Sequence, residues 1–324
     1  MTRALLERLG VELPVVQAGM GGGIAGRELA AAVSEAGGLG TIGIMPAPAL
    51  ANELAKAKQA TAKPIAVNLL LNFARARHWE AAGQADMIVT FWGSPRRRTE
   101  KPWLHQCGSV DEAQAARAAG ADGVIVQGVE AGGHVRGATP AFELLRQARA
   151  ALPDGYPLLL AGGIADAADV RRALDAGAEA AVLGTRFLMS EESRARRAYK
   201  QRLMESRETV LTELFGLGWP DAPHRVIWNE AAERWLRKDR RGPRWVRAAN
   251  RLTGPALLRL SDSLQRSALK WQRASMPFLS PQPAAEGTPA SLLDSGPLYA
   301  GETVARIHDI RPAAELVREL AGVG

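Results

Sequence analysis

One histidine stands in a run of glycines: residues 127–137 read QGVEAGGHVRG. The run follows the apolar stretch Asp122 to Val126, so His134 falls just past the end of a strand. There, glycine backbone lets a ligand approach closely, and an imidazole can take or give a proton near neutral pH. A histidine in a glycine loop can also be merely exposed; the neighbouring loops favour chemistry. Gly19 to Gly23, with Met20 among them, follow one apolar run, Asn68 lies near the end of another, and Gly162-Gly163 and Gly184-Thr185 follow two more. Backbone N–H groups in glycine loops ahead of helices point at anions, so the last two loops predict a phosphate on the substrate or on a cofactor.

The elements that position these loops alternate with a regular period. Val15 to Ala18 reads as a strand, followed by a helix over Arg27 to Ala36. Leu39 to Ile44, Pro64 to Leu71, Met87 to Phe91, Trp103 to Cys107, Gly123 to Val126, Pro157 to Leu160 and Ala180 to Leu183 read as further strands, nearly all separated by amphipathic helices. Eight short apolar strands of this kind predict an α/β fold, a (β/α)8 barrel with both faces of the sheet covered, rather than an open doubly wound sheet. Ligands in such a barrel sit at the carboxyl ends of the strands, where the loops above fall. One unit is defective: WGSPRRRTEKP, between Phe91 and Trp103, is too short and proline-broken for a helix.

After Arg186 the texture changes. Ser190 to Phe215 reads as one long helix, Asn229 to Asp239 as another, Pro255 to Arg273 as an amphipathic stretch, Pro277 to Pro297 as a linker, and Thr303 to Ala321 as the last barrel helix. The expected organisation is a barrel over residues 1–190, a helical, basic, tryptophan-rich insertion over 191–296 after the eighth strand, and a closing barrel segment over 297–324.

Composition narrows the classes. The net charge of +7 is concentrated: Glu191 to Arg273 hold 19 Lys and Arg against 10 Asp and Glu, leaving 22 against 24 elsewhere. The charges mix with Glu and Trp at helical spacing and form no recognisable nucleic-acid module, so a solvated helical face is expected and no nucleic-acid partner. No apolar run approaches the roughly 20 residues that span a bilayer, and the amino terminus lacks a signal-peptide layout, so a cytoplasmic protein is expected. Cys107 is the only cysteine, which excludes an internal disulfide. No HxH or HExxH spacing occurs, and no metal site is expected. His78, His105, His224 and His308 show no partner pattern, and Ser94 and Cys107 lack the surroundings of an activated nucleophile.

Taken in order and at their spacings, VVQAGMGGG, PIAVNL, VIVQGVEAGGHVRG, LLLAGGIAD and AVLGTRFL resemble the FMN-dependent nitronate monooxygenases. The resemblance covers Pro14 to about Ser190 and resumes at YAGETVARI. Flavin-type enoyl reductases and NADH:quinone reductases share the GGH loop. The resemblance implies FMN, molecular oxygen and a small nitronate substrate, with His134 as catalytic base. It places Met20, Gly21 and Gly22 beside the flavin through main chain, with Asn68, Gln106, Gln127, Gly132 and Gly133 around the ring or ribityl chain. Gly162, Gly163, Gly184 and Thr185 would cradle the phosphate. An NAD(P)H-dependent flavin reductase of quinones or enoyl thioesters is the alternative. The insertion departs from the family pattern, and ranks as a lid first, a homodimer contact second and a membrane-resting surface last.

Overall fold

A computed structural model describes residues 4–257 and 262–323. The chain divides into two units: residues 1–131, 136–194 and 309–324 form the first, and residues 132–135 and 195–308 the second.

The first unit is the barrel. Its strands are β1 (Val15–Gln17), β2 (Gly40–Ile42), β3 (Ile65–Leu70), β4 (Met87–Phe91), β5 (Trp103–Cys107) and β6 (Gly123–Gln127). The short β7 (Gly133–His134) belongs to the second unit, and β8 (Leu158–Ala161) and β9 (Ala180–Leu183) complete the barrel. All eight barrel strands pair in parallel in the order β1-β9-β8-β6-β5-β4-β3-β2. The ring closes where Gln17 N–H donates to Leu39 C=O at 2.9 Å and Leu39 N–H to Val15 C=O at 3.0 Å.

Strand alternation divides the core in two, because successive side chains point to opposite faces. Val16, Leu39, Ala66, Met87, Val89, Leu104, Ile125, Leu159, Ala161, Ala180 and Val182 form the barrel interior. Their neighbours Val15, Ile42, Val67, Ile88, Trp103, Val126, Leu160 and Ala181 pack outward under the helices. Leu5 and Leu6, from the helix Ala4–Arg8, join the interior cluster, and their N–H groups donate to the Glu179 carboxylate at 3.1 and 2.8 Å just ahead of β9. That plug closes the amino-terminal end and leaves the carboxyl end for ligands.

The helices start where the sequence supplies caps. Ser109 accepts from Glu112 N–H at 3.2 Å and Asp166 from Asp169 N–H at 3.0 Å, each satisfying a donor the helix leaves open. No helix lies between β4 and β5; instead Arg97 fastens the loop, donating to Gly120 C=O and to Asp122 at 3.2 Å. The last helix spans only Ala313–Ala321, beginning at Pro312 where the chain was expected to be helical from Thr303. Proline is suited to a helix start and breaks an interior. The helix buries Leu316, Val317 and Leu320 against the helices Arg27–Glu35 and Ala167–Asp175.

The second unit is not only helical. Ser190 to Phe215 is not one helix: helix runs over Arg197–Glu205, and then TVLT forms β10 (Thr209–Thr212). It pairs antiparallel with β11 (His224–Ile227), which pairs antiparallel with β7. Two β-branched threonines and a valine favour extended backbone there over helix. The expected linker is packed, with Leu279, Ala284, Ala285 and Leu292 buried. The amphipathic stretch from Pro255 takes in the end of a helix that already begins at Arg244 (Arg244–Leu257) and a second helix, Asp262–Leu269; residues 258–261 lie outside the described residues.

Replacing Leu159 by Ala removes a fully buried side chain from the barrel interior. Urea unfolding is expected to show a loss of about 2–5 kcal/mol, against little change for Leu252→Ala on the surface.

Candidate active site

At the carboxyl end of the barrel the interior changes character. Asn68 on β3, Gln106 on β5 and Gln127 on β6 each stand two residues beyond an interior side chain (Ala66, Leu104, Ile125) and so point the same way. Three neutral carboxamides thus cap an apolar interior, each offering two N–H donors and a carbonyl acceptor. Asn68 Nδ2 reaches Val89 C=O at 3.5 Å, and Gln127 Oε1 accepts from Arg136 N–H at 3.2 Å.

The loop after β1 lies against the same place. A Cβ at Gly19 would fall 2.2 Å from Asn68 Cβ, and one at Gly43 would fall 2.1 Å from Met20 C=O, so the main chain around Met20, Gly21 and Gly22 is held between β2 and β3. Beyond β8, Gly162 (φ +97°) and Gly163 (φ +73°) take left-handed backbone in succession, and a Cβ at Gly163 would meet nothing within 4 Å. Such consecutive turns aim backbone N–H groups into a shared concavity suited to an anion. Gly184 and Thr185 follow β9, the strand next to β8, and β9 is joined to the β1 loop by Ala18 N–H donating to Leu183 C=O at 3.0 Å. A flat ring with donors and acceptors on one edge and a phosphate on its tail fits this donor set. Trp92, which no motif in the sequence marks, follows β4 with φ +56° beneath the Arg136 guanidinium, 4.8 Å from its ring centroid.

Gly132, Gly133 and His134 lie in the second unit. Within the loop that leads to them, Glu130 accepts from Ala141 N–H at 3.0 Å and caps the helix Ala141–Ala151. His134 pairs across the sheet with His224, and Val135 N–H donates to Pro223 C=O at 2.8 Å. A Cβ at Gly132 would fall 2.4 Å from Gly301 N, so only glycine lets the strand pass there.

Aromatic rings wall His134 within its unit. Its imidazole stacks on Trp219 with centroids 3.8 Å apart and planes 20° apart. His224 lies 5.2 Å and Tyr299 5.6 Å from it. Tyr299 is fixed by its hydroxyl donating to Pro281 C=O at 2.8 Å. Burial, then the neighbouring His224, holds the His134 imidazole well below the usual histidine range. Burial also lowers His224 to about 4, against a hydrogen bond from its Nδ1 to Ala222 C=O at 2.9 Å. Phe215 N–H donates to His224 Nε2 at 3.3 Å, so both nitrogens of this ring are engaged in its neutral form. His224 was read as having no partner pattern; a strand pairing ninety residues away in the chain supplies one. Trp219 and Tyr299, 85 and 165 residues further along the chain than His134, carried no signal of a place beside it.

The profile of the nitronate monooxygenase family matches residues 2–95 and 103–322. The chain belongs to the nitronate monooxygenase family. The nitronate monooxygenase of Pseudomonas aeruginosa is 32% identical, the match covering 72% of this chain and 83% of that protein. A (3aS,4S,5R,7aS)-5-hydroxy-7a-methyl-1-oxo-octahydro-1H-indene-4-carboxyl-CoA dehydrogenase of Mycobacterium tuberculosis is 28% identical, covering 98% of this chain and 94% of its own. Among solved structures, FabK from Thermotoga maritima superposes with a TM-score of 0.77 at 26% identity, covering 99% and 96% of the two chains. As a nitronate monooxygenase family member the chain is an oxidoreductase. Among the described residues no helix is long and apolar enough to cross a membrane.

Buried His105 is also lowered to about 4, chiefly by burial. Both it and His224 are neutral in the fold and bind protons more readily when unfolded. Stability is therefore complete above pH 6.5 and falls as the pH drops from 6.5 towards about 4. Each histidine is expected to contribute about 3 kcal/mol over that span, read from urea unfolding at a series of pH values; a flat profile would contradict the burial of both.

Proposed function

We propose that the chain binds FMN and oxidises alkyl nitronates with molecular oxygen, with His134 as base. Support for the cofactor comes from its donor set. Asn68, Gln106 and Gln127 would meet the polar edge of the ring, with main chain of Met20, Gly21 and Gly22 beside it, and Gly162, Gly163, Gly184 and Thr185 would take the phosphate. FMN supplies the electron transfer and the reaction with oxygen that these side chains cannot. Gly132 and Gly133 serve by carrying His134 through its strand pairing.

The observation that carries the reading is the stacked, desolvated imidazole of His134 in a member of this family. Held neutral, it can receive an α-proton without first losing one. A neutral nitroalkane needs that proton transfer before it can react, whereas a nitronate that arrives already ionised does not.

One observation favours a second reading, an NAD(P)H-dependent flavin reductase of quinones or enoyl thioesters. The relative named for dehydrogenation of a CoA ester aligns over 98% of this chain, whereas the Pseudomonas nitronate monooxygenase aligns over 72%.

His134→Asn is expected to keep flavin absorbance. It should lower kcat/KM for a neutral nitroalkane by about 10²–10⁴-fold, the usual worth of a general base, and for the preformed nitronate far less, both measured by oxygen uptake. Equal losses on both substrates would remove the base role.

A further inference from the structure

Apart from Val323, the large apolar side chains exposed among the described residues all lie between Trp245 and Phe278. The helix Arg244–Leu257 buries Val246 and Asn250 and leaves Trp245 (54% exposed) and Leu252 (84%), one heptad apart, on its open side. The turn after the helix Asp262–Leu269 presents Trp271 (72%) and Met276 (42%), and leads to Phe278 (41%). The helix and the turn are joined: Trp245 lies edge to face with Phe278 and with Trp235, ring centroids 6.2 Å apart in each pair, and Trp235 Nε1–H donates at 2.8 Å to Ala274 C=O, in the turn that carries Trp271. Monomeric surfaces seldom leave so many large apolar groups together without a partner.

Cations edge the patch at each anchor. Exposed Arg244 and Arg251 precede Trp245 and Leu252, and exposed Lys270 and Arg273 bracket Trp271. Arg251 pairs with Asp221 at 2.6 Å, yet the segment as a whole retains its positive excess. A second copy of this chain would set these cations against one another. A surface that is apolar beneath and anionic above fits both features, since indole rings and long basic side chains settle where hydrocarbon meets charged headgroups.

We propose that this face of the second unit docks on anionic lipid bilayers, with Trp245, Trp271 and Phe278 entering the interface and the neighbouring arginines and lysines meeting the headgroups. The test is flotation of the purified full-length protein with phosphatidylcholine vesicles and with mixed phosphatidylcholine–phosphatidylglycerol vesicles, at low and high salt. The protein should float with the mixed vesicles only, and less at high salt. Trp271→Glu and Trp245→Glu, each checked for an unchanged unfolding midpoint, should cut the bound fraction at least about tenfold, because each removes an interfacial anchor and adds a negative charge facing the anionic headgroups. Three outcomes would overturn the proposal: no flotation with either vesicle, flotation that both variants leave unchanged, or a dimer in gel filtration that the variants dissociate while vesicles bind nothing. Binding of a single-stranded oligonucleotide without vesicle binding would likewise overturn it.

Discussion

Desolvation of one imidazole sets the character of the aromatic cluster in the second unit. His134 is held neutral because Trp219 covers its face and because His224 and Tyr299 stand at its sides. None of this follows from the glycine-rich stretch alone. The stretch provides passage: Gly132 lets the chain run against the backbone of Gly301, and Gly133 takes a φ of +73°. The walls come from residues far along the chain: the antiparallel pairing of β7 with β11 sets His224 opposite His134, and a bridge between Val226 and Tyr299 ties Tyr299 to β11. His224 in turn cannot take up a proton without giving up a hydrogen bond, since Ala222 C=O and Phe215 N–H engage its two nitrogens. It acts as a neutral wall.

The barrel contributes by a different device. Alternation along parallel strands fills the interior with apolar side chains up to one level, and then Asn68, Gln106 and Gln127 replace them. Carboxamides offer both donors and acceptors and carry no charge, so they can bind a polar ring edge without the desolvation cost of a charged group. Tight packing of the β1 loop against Asn68 and the paired left-handed glycines after β8 fix main chain around that level. The plug of Leu5 and Leu6 shuts the other end, so the barrel is one-sided by construction.

Much of this was legible in the sequence. All eight barrel strands fall on the apolar runs, with β6 and β8 each extending one residue beyond its run, since parallel strands buried on both faces announce themselves by composition. The defective unit between Phe91 and Trp103 was also visible, because prolines and a short span forbid a helix. The second unit was not legible in the same way. TVLT is four residues long, too short to outweigh the helical spacing before it, and its partner strand begins twelve residues after it ends. The stretch from Pro277 to Pro297 looked like a linker because proline and small residues dominate it, yet its leucines and alanines are buried. The companions of His134 depend on long-range pairing, which local periodicity does not encode. A family resemblance supplied the expected role of His134; the structure supplied the physical reason it would be neutral.

The account rests on a flavin held by uncharged carboxamides and served by a neutral histidine towards nitronates. The anaerobic absorbance spectrum of the purified protein, recorded before and after separate additions of an alkyl nitronate and of NADPH, tests that most directly. The account predicts flavin bands at the outset that change promptly with the nitronate and stay unchanged with NADPH. Bands bleached by NADPH and indifferent to the nitronate, or a protein with no flavin bands that gains none on incubation with FMN, would contradict it.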